Sequence, residues 1–317
     1  MKRFVAHCVL FIGLPFTFLA ALWLRLVKKL KPGVIEDSIF MNIGVLPVID
    51  HYYEPLINPK KHLVQPLNKD RYLPGIDLNE PAQLELLSRF HYNDELLAIP
   101  INKQKDLAYY YNNHSYASGD AEYLYNIVRH FKPRRFFEIG SGFSTLMVRN
   151  AVLQNQSEDK EYRIEHVCIE PYEQPWLQKI DIKLIREKVE TISPAFFQQL
   201  ESNDVLFIDS SHIIRPQGDV LFEFLQVLPL INPGVLIHVH DIFTPKDYPV
   251  EWIHKHVFWN EQYLLEAFLT LNRDFRIIGA LNFLAHHHRA LLAEKCPVFA
   301  GQPDALPGAC WIQRIIT

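Results

Sequence analysis

The run Phe136-Phe137-Glu138-Ile139-Gly140-Ser141-Gly142, with a helical stretch over residues 144–153 behind it, constrains this chain more than any other segment. Residues 136–139 form a short apolar run of the kind that makes a buried strand, and the two glycines then permit positive φ and a close approach of backbone to a ligand. Ahead of it, Asp120 reads as a helix N-cap. Leu124, Ile127, Val128 and Phe131 make one apolar helical face, which Lys132-Pro133 ends. Beyond it, strands are predicted at 165–170, 181–185, 205–209 and 235–240. Helical stretches separate most of them, including 220–228, which stops at Pro229 and the Asn232-Pro233-Gly234 turn. This alternation predicts an α/β fold, a parallel sheet with helices on both faces, and strands at 275–278 and 310–315 close its far edge.

The N-terminus has a different character. Residues 4–24 carry no formal charge over 21 positions; as one helix they reach about 31 Å, enough for a bilayer core. Pro15 is tolerated in such a span. Lys2 and Arg3 precede it, while Arg25, Lys28, Lys29 and Lys31 follow. A cleaved signal peptide is the competing reading, but the apolar stretch is long and the closing cluster basic. The expectation is a single-pass transmembrane anchor over residues 1–31, with the body facing the cytoplasm. Residues 32–117 read as a largely irregular extension packed on the catalytic domain, with one short helix at 81–90; residues 118–317 form that domain.

Removing the leader's six basic residues leaves 26 basic against 36 acidic side chains, a formal charge of −10. An acidic body of this kind excludes nucleic acid as a partner. The four cysteines make no metal-binding spacing and read as free thiols.

In open α/β sheets, ligands sit beyond the carboxyl ends of the strands where the strand order reverses. Glu138 stands at such an end and is a candidate to hold a cationic amino group. Glu170, ending the second strand, is a candidate acceptor for ribose hydroxyls. The interval between Gly142 and Glu170 is long, and the polar stretch 155–160 reads as a loop insertion. A dinucleotide fingerprint would need glycine or alanine where this chain has Thr145.

Ser118-Gly119-Asp120, Glu138-Ile139-Gly140-Ser141-Gly142-Phe143-Ser144-Thr145 and Phe207-Ile208-Asp209-Ser210-Ser211-His212, in this order, resemble the class I S-adenosylmethionine-dependent methyltransferases, and more narrowly methyltransferase family 24. The likeness continues through His238-Val239-His240-Asp241-Ile242-Phe243 and Trp259-Asn260-Glu261-Gln262-Tyr263. It implies a Rossmann-like seven-stranded methyltransferase sheet whose last strand is antiparallel. It also implies cofactor contacts at Glu138, Gly140, Ser141, Gly142 and Glu170, with Asp120 and Ser210 beside them. The adenine contact stays open between Glu187 and Glu190.

Asp209 and His212 follow the fourth strand; His240 and Asp241 follow the fifth. Two chemistries compete there. His212 or His240 takes a proton from an acceptor hydroxyl, or Asp209 and Asp241 hold a divalent cation such as Mg²⁺ that acidifies and orients it. The resulting expectation is O-methylation of a small molecule or glycan near the membrane. The alternatives are a metal-dependent hydroxylase on a related sheet and a membrane-anchored S-adenosylmethionine-binding protein without turnover. His286-His287-His288 reads as a solvated loop and Tyr109-Tyr110-Tyr111 as packing. Trp252, Trp259 and Tyr263 read equally as a lid over the acceptor or as core.

Overall fold

The computed structural model describes residues 2–30, 33–51, 53–105, 107–172 and 174–315. The chain divides into two compact units, Met1–Pro66 and Leu67–Thr317.

In the first unit, α1 (Lys2–Ile12) and α2 (Leu14–Leu30) meet at Gly13 with a bend of 57°. Pro15 accounts for the break: lacking an N–H, it cannot bond the Phe11 carbonyl, and its ring crowds that turn. The single span expected over residues 4–24 is therefore corrected. Among the described residues no one helix is long and apolar enough to cross a membrane, although the bent pair passes that test jointly. Lys31, part of the expected basic flank, lies outside the described residues. The region read as mostly irregular holds further helices. In this unit these are α3 (Val34–Ile43), ended by left-handed Gly44, and α4 (Pro59–His62), capped by the Asn58 side chain.

The second unit opens with α5 (Glu80–Ser88), α6 (Asn93–Leu97) and α7 (Asp120–Phe131). Lys132 takes a left-handed conformation to end α7 before Pro133. The sheet begins with β1 (Arg135–Ile139), followed by α8 (Phe143–Glu158), β2 (Glu165–Ile169), β3 (Lys183–Ile185) and β4 (Val205–Ile208). Next come α9 (Asp219–Phe222), β5 (Leu236–Val239), α10 (Val250–His254), α11 (Glu261–Leu269) and β6 (Phe275–Ala280). The chain closes with α12 (Leu281–His287), α13 (Arg289–Lys295), α14 (Pro297–Ala300) and β7 (Cys310–Arg314).

These seven strands form one mixed sheet in the order β3-β2-β1-β4-β5-β7-β6, with β7 antiparallel to both neighbours. Every residue of β4 and β5 is buried, and so is all of β1 after Arg135, so the centre of the sheet is covered on both faces. That is why these strands read as continuous apolar runs rather than alternating ones.

Two local expectations change. Helix α8 continues through residues 155–158, so the expected loop starts only at Asp159. Asn155 is buried, donating to the Val128 carbonyl and accepting from Arg129. The histidine triplet ends α12 instead of forming a loop, with His287 on Asp70 at 2.7 Å and His288 on Glu80 at 3.0 Å.

Arg129 joins α6, α7 and α8. Its guanidinium is 1% exposed, grips Glu95 through two bonds of 2.7 and 2.9 Å, reaches Glu158, and lies 4.6 Å over the Tyr92 ring. Glu95 and Glu158 keep partial access to water, which softens the loss when the arginine goes. Arg129→Ala is expected to cost about 2–3 kcal/mol in denaturant unfolding. Arg129→Lys, with no fork for Glu95, should recover less than half of it.

Candidate active site

Register places the site. Ile139 pairs with Ile169 and Ile208, and Ile208 with Val239. The residues that follow, Gly140, Glu170, Asp209 and His240, therefore leave the sheet side by side at its carboxyl edge. The chain winds outward from β1 to β2 and β3, then returns to β4 on the other side, so this edge holds the reversal where α/β sheets bind ligands.

A cavity of about 280 Å³ opens there, lined by Ile139, Gly140, Glu170, Val189, Glu190 and Ser210 among others. Gly140 has φ +76, and a Cβ on it would lie 1.8 Å from the Asp209 carbonyl oxygen. Only glycine lets the β1 tip pass this close to β4. Gly142 has open space where a side chain would stand. Glu170 accepts from the amides of Ser141 at 3.3 Å and Tyr172 at 2.9 Å, so it braces the glycine turn from the cavity wall. The hydroxyl of Ser141 is buried beside the Cys168 thiol, with no oxygen or nitrogen partner among the described residues. Glu190 lines the cavity and Glu187 is not among its lining residues, which separates the two adenine candidates.

Three expected cofactor contacts are placed differently. Glu138 is fully buried, and its carboxylate accepts from Ser144 at 2.5 Å, Thr145 at 2.9 Å and the His166 ring at 3.1 Å. It anchors the first turn of α8 and so shapes the glycine turn from behind, set back from the residues that line the cavity. Cys168 sits at 3.4 Å from the same carboxylate, completing a buried Glu138–His166–Cys168 cluster behind the glycine turn. Ser210 lines the cavity while its hydroxyl donates to Glu223 at 3.0 Å.

Asp120 is the third. It is the first residue of α7, behind the cap residue Gly119, and it accepts from the amides of Gly308 at 3.0 Å and Ala309 at 2.8 Å. Burial pushes this carboxyl up from 3.8 to about 6, against the pull of His240 and of the two amides. A raised acid stabilises the fold while protonated, so its contribution is complete below 3.8 and lost as pH rises through 6. Relative to Asp120→Asn, the wild type is expected to lose about 2 kcal/mol between pH 4 and pH 6.5 in chemical unfolding.

At the tips of β4 and β5 the sequence candidates do come together. The Nε2 of His212 lies 3.3 Å from Asp209 and 3.6 Å from Asp241, and its Nδ1 lies 2.8 Å from Glu261. His240 stands 3.7 Å from Asp241. Asp209, His240 and Asp241 each offer a ligand atom, all within 4.8 Å of one another. Two carboxylates and an imidazole on a partly open edge suit a hard divalent cation such as Mg²⁺ or Mn²⁺.

Burial alone would lower His212, but Asp209 and Glu261 outweigh it and hold the ring well above the usual histidine range. His240 is also raised, since Asp241, Asp209 and Asp120 overcome its burial. Burial would raise Asp209, yet His240 and His212 keep it below the usual carboxylate range. Asp241 is raised by burial, with the two histidines opposing. Behind them, burial and the charge of Glu261 push Glu223 well up, and burial raises Glu261 as well, with His212 opposing.

The aromatic groups also resolve. Tyr109 and Tyr111 are buried and donate to the Tyr116 and Leu96 carbonyls, which is packing. Trp259 covers the His212 ring at 4.2 Å, and Trp252 meets Trp259 edge-on at 4.9 Å. Nothing in the sequence marks Glu223 or Glu261 as functional: Glu261 lies in the Trp259–Tyr263 motif, but its partner His212 is 49 residues away.

Residues 137–242 match a family described as a methyltransferase domain. An uncharacterised protein of Archaeoglobus fulgidus is 29% identical over 199 residues, covering 58% of this chain and 88% of that protein. Among solved structures, the MycE methyltransferase from the mycinamycin biosynthetic pathway, described in complex with Mg, SAH and mycinamycin VI, is 14% identical. Its TM-score is 0.34 over 59% of this chain and 48% of that one, so this chain spans about half of MycE, and the likeness is too loose to bear on chemistry here. The resemblance to methyltransferase family 24, read from the ordered motifs, is borne out in the segment that carries most of them: residues 137–242 match the model of that family's methyltransferase domain.

Proposed function

We propose that the protein transfers a methyl group from S-adenosylmethionine to a hydroxyl of a small molecule or glycan, close to a membrane. The observation that carries this is the row of strand tips: Gly140 and Glu170 flank one cavity, and Asp209 and His240 continue the same edge. The residues fit the donor. Glu170, Val189 and Glu190 line the cavity, which supports Glu170 as the acceptor for two ribose hydroxyls and the other two as the adenine side. Asp209, Asp241 and His240 would hold a divalent cation, which when bound lowers the pKa of an acceptor hydroxyl and orients it.

The acceptor oxygen forms its bond to the methyl carbon as the carbon–sulfur bond breaks, and the hydroxyl proton passes to Nε2 of His212. Since carboxylates hold this ring protonated above the ordinary range, transfer by this route speeds up toward alkaline pH. For membrane attachment, α1 and α2 jointly have the length and composition for a broken span. Arg25, Lys28 and Lys29 at its end favour the body on the cytoplasmic side.

Titration calorimetry of the full chain in detergent tests the donor. Saturable binding of S-adenosylmethionine at micromolar concentration, with none for NADH, is the expected result. A folded protein that fails to bind the donor at 1 mM, about a −4 kcal/mol limit, contradicts the assignment.

A further inference from the structure

Glu261 has no part in the reaction as derived so far, yet its placement is costly. It is completely buried at the start of α11, and one of its oxygens has no hydrogen-bond partner among the described residues. Nearby, Glu223 is equally buried and likewise has one unpartnered oxygen. Two acids beneath one loop repel each other, and a glutamine or leucine would fill the space at less cost. What Glu261 gains is His212, whose Nδ1 lies 2.8 Å from its other oxygen.

The backbone around this contact is strapped as well. The amides of Asn260 and Glu261 donate to the His212 carbonyl at 3.0 and 3.2 Å, and Asn260 Oδ1 accepts from the Ile214 amide at 2.6 Å. These bonds hold His212 at φ +59, and Trp259 closes over the ring. The imidazole so held faces Glu261 on one nitrogen, Asp209 and Asp241 on the other, and Trp259 on a face.

We propose that Glu261 is a positioning residue for methyl transfer: by accepting the Nδ1 hydrogen of His212 it sets the rotation of the imidazole and leaves Nε2 as the nitrogen facing the tips of β4 and β5. The proposal rests on the methyl-transfer reading. A carboxylate only accepts hydrogen bonds, so Nδ1 carries the hydrogen in either charge state of the ring. A carboxylate behind a catalytic imidazole selects tautomer and aim in this way in hydrolytic triads too. The Asp209–Asp241 edge then meets Nε2 alone.

Nitrogen-15 histidine NMR of the full chain in detergent tests this without donor or acceptor. The His212 signals are identified by their disappearance in His212→Gln. The wild type is expected to show a low-field Nδ1 hydrogen in slow exchange with water. Glu261→Gln should lose it, with exchange at least tenfold faster, whereas Glu223→Gln should keep it. Methyl transfer by Glu261→Gln should fall at least tenfold in kcat, with the acceptor KM changed less than threefold. A wild-type ring bearing hydrogen only on Nε2 overturns the proposal even where the variant fails to fold, and so does a Glu261→Gln protein that retains the low-field signal. Loss of the methyl-transfer reading would show instead as absent donor binding in calorimetry, with these NMR signals unchanged.

Discussion

Gly140→Ala is expected to lose donor binding altogether and to destabilise the second unit by about 3 kcal/mol or more. The new methyl would stand 1.8 Å from the Asp209 carbonyl oxygen and 2.8 Å from its carbon, so β1 or β4 has to move. β4 is buried throughout and β1 everywhere after Arg135, so neither has slack. The positive φ adds its own strain for any residue with a Cβ. The damage comes through the protein's own backbone, not from a side chain entering the ligand's space. Gly142→Ala is the control, because its Cβ meets nothing within 4 Å; it should unfold at the wild-type midpoint. Thermal unfolding and calorimetry of the two variants check both statements, and equal midpoints would contradict the packing argument.

The second large effect is expected at the reaction edge. Replacing Asp209 and Asp241 together by asparagine removes two carboxylates that share His212 and two of the three atoms placed for a cation. Methyl transfer should fall at least a hundredfold, about 3 kcal/mol in the barrier. Donor affinity should change less than threefold, because Gly140 and Glu170 hold the other end of the cleft. Mn²⁺ binding, read by the paramagnetic signal of the free ion, should drop at least tenfold. A double variant that keeps its Mn²⁺ affinity would place the cation elsewhere. One that keeps its rate would remove these acids from the chemistry.

The sheet was legible because its central strands are buried on both faces and so appear as unbroken apolar runs, Phe136 to Ile139 and Val205 to Ile208 among them. Strand tips were legible for a related reason: an acid or glycine directly behind such a run has nowhere to go but the sheet edge. Direction was less so. Glu138 and Glu170 look alike as strand-end acids, yet Glu138 is the last but one residue of β1 and turns under α8, while Glu170 follows β2 and reaches the cavity. One residue of register separates a brace from a wall.

Long-range polar partners stayed hidden. His212 and Glu261, Asp120 and Ala309, and Arg129 and Glu158 are pairs that no periodicity encodes, since the intervening chain length is set by unrelated loops. The N-terminal segment failed in another way. Hydropathy over residues 4–24 reports apolar length but is blind to the bend that Gly13 and Pro15 introduce. The polar stretch after residue 154 reads as loop by composition. It is helix through Glu158 because Asn155 and Glu158 have Arg129 to bind.

A crystal structure of the protein with S-adenosylhomocysteine bound would test the placement of the donor most directly. The nucleoside is expected against the Gly140 backbone, with both ribose hydroxyls on the Glu170 carboxylate and the sulfur turned toward Asp209 and His240. Density for the ligand at any other edge of the sheet, or a ribose out of reach of Glu170, would contradict the assignment.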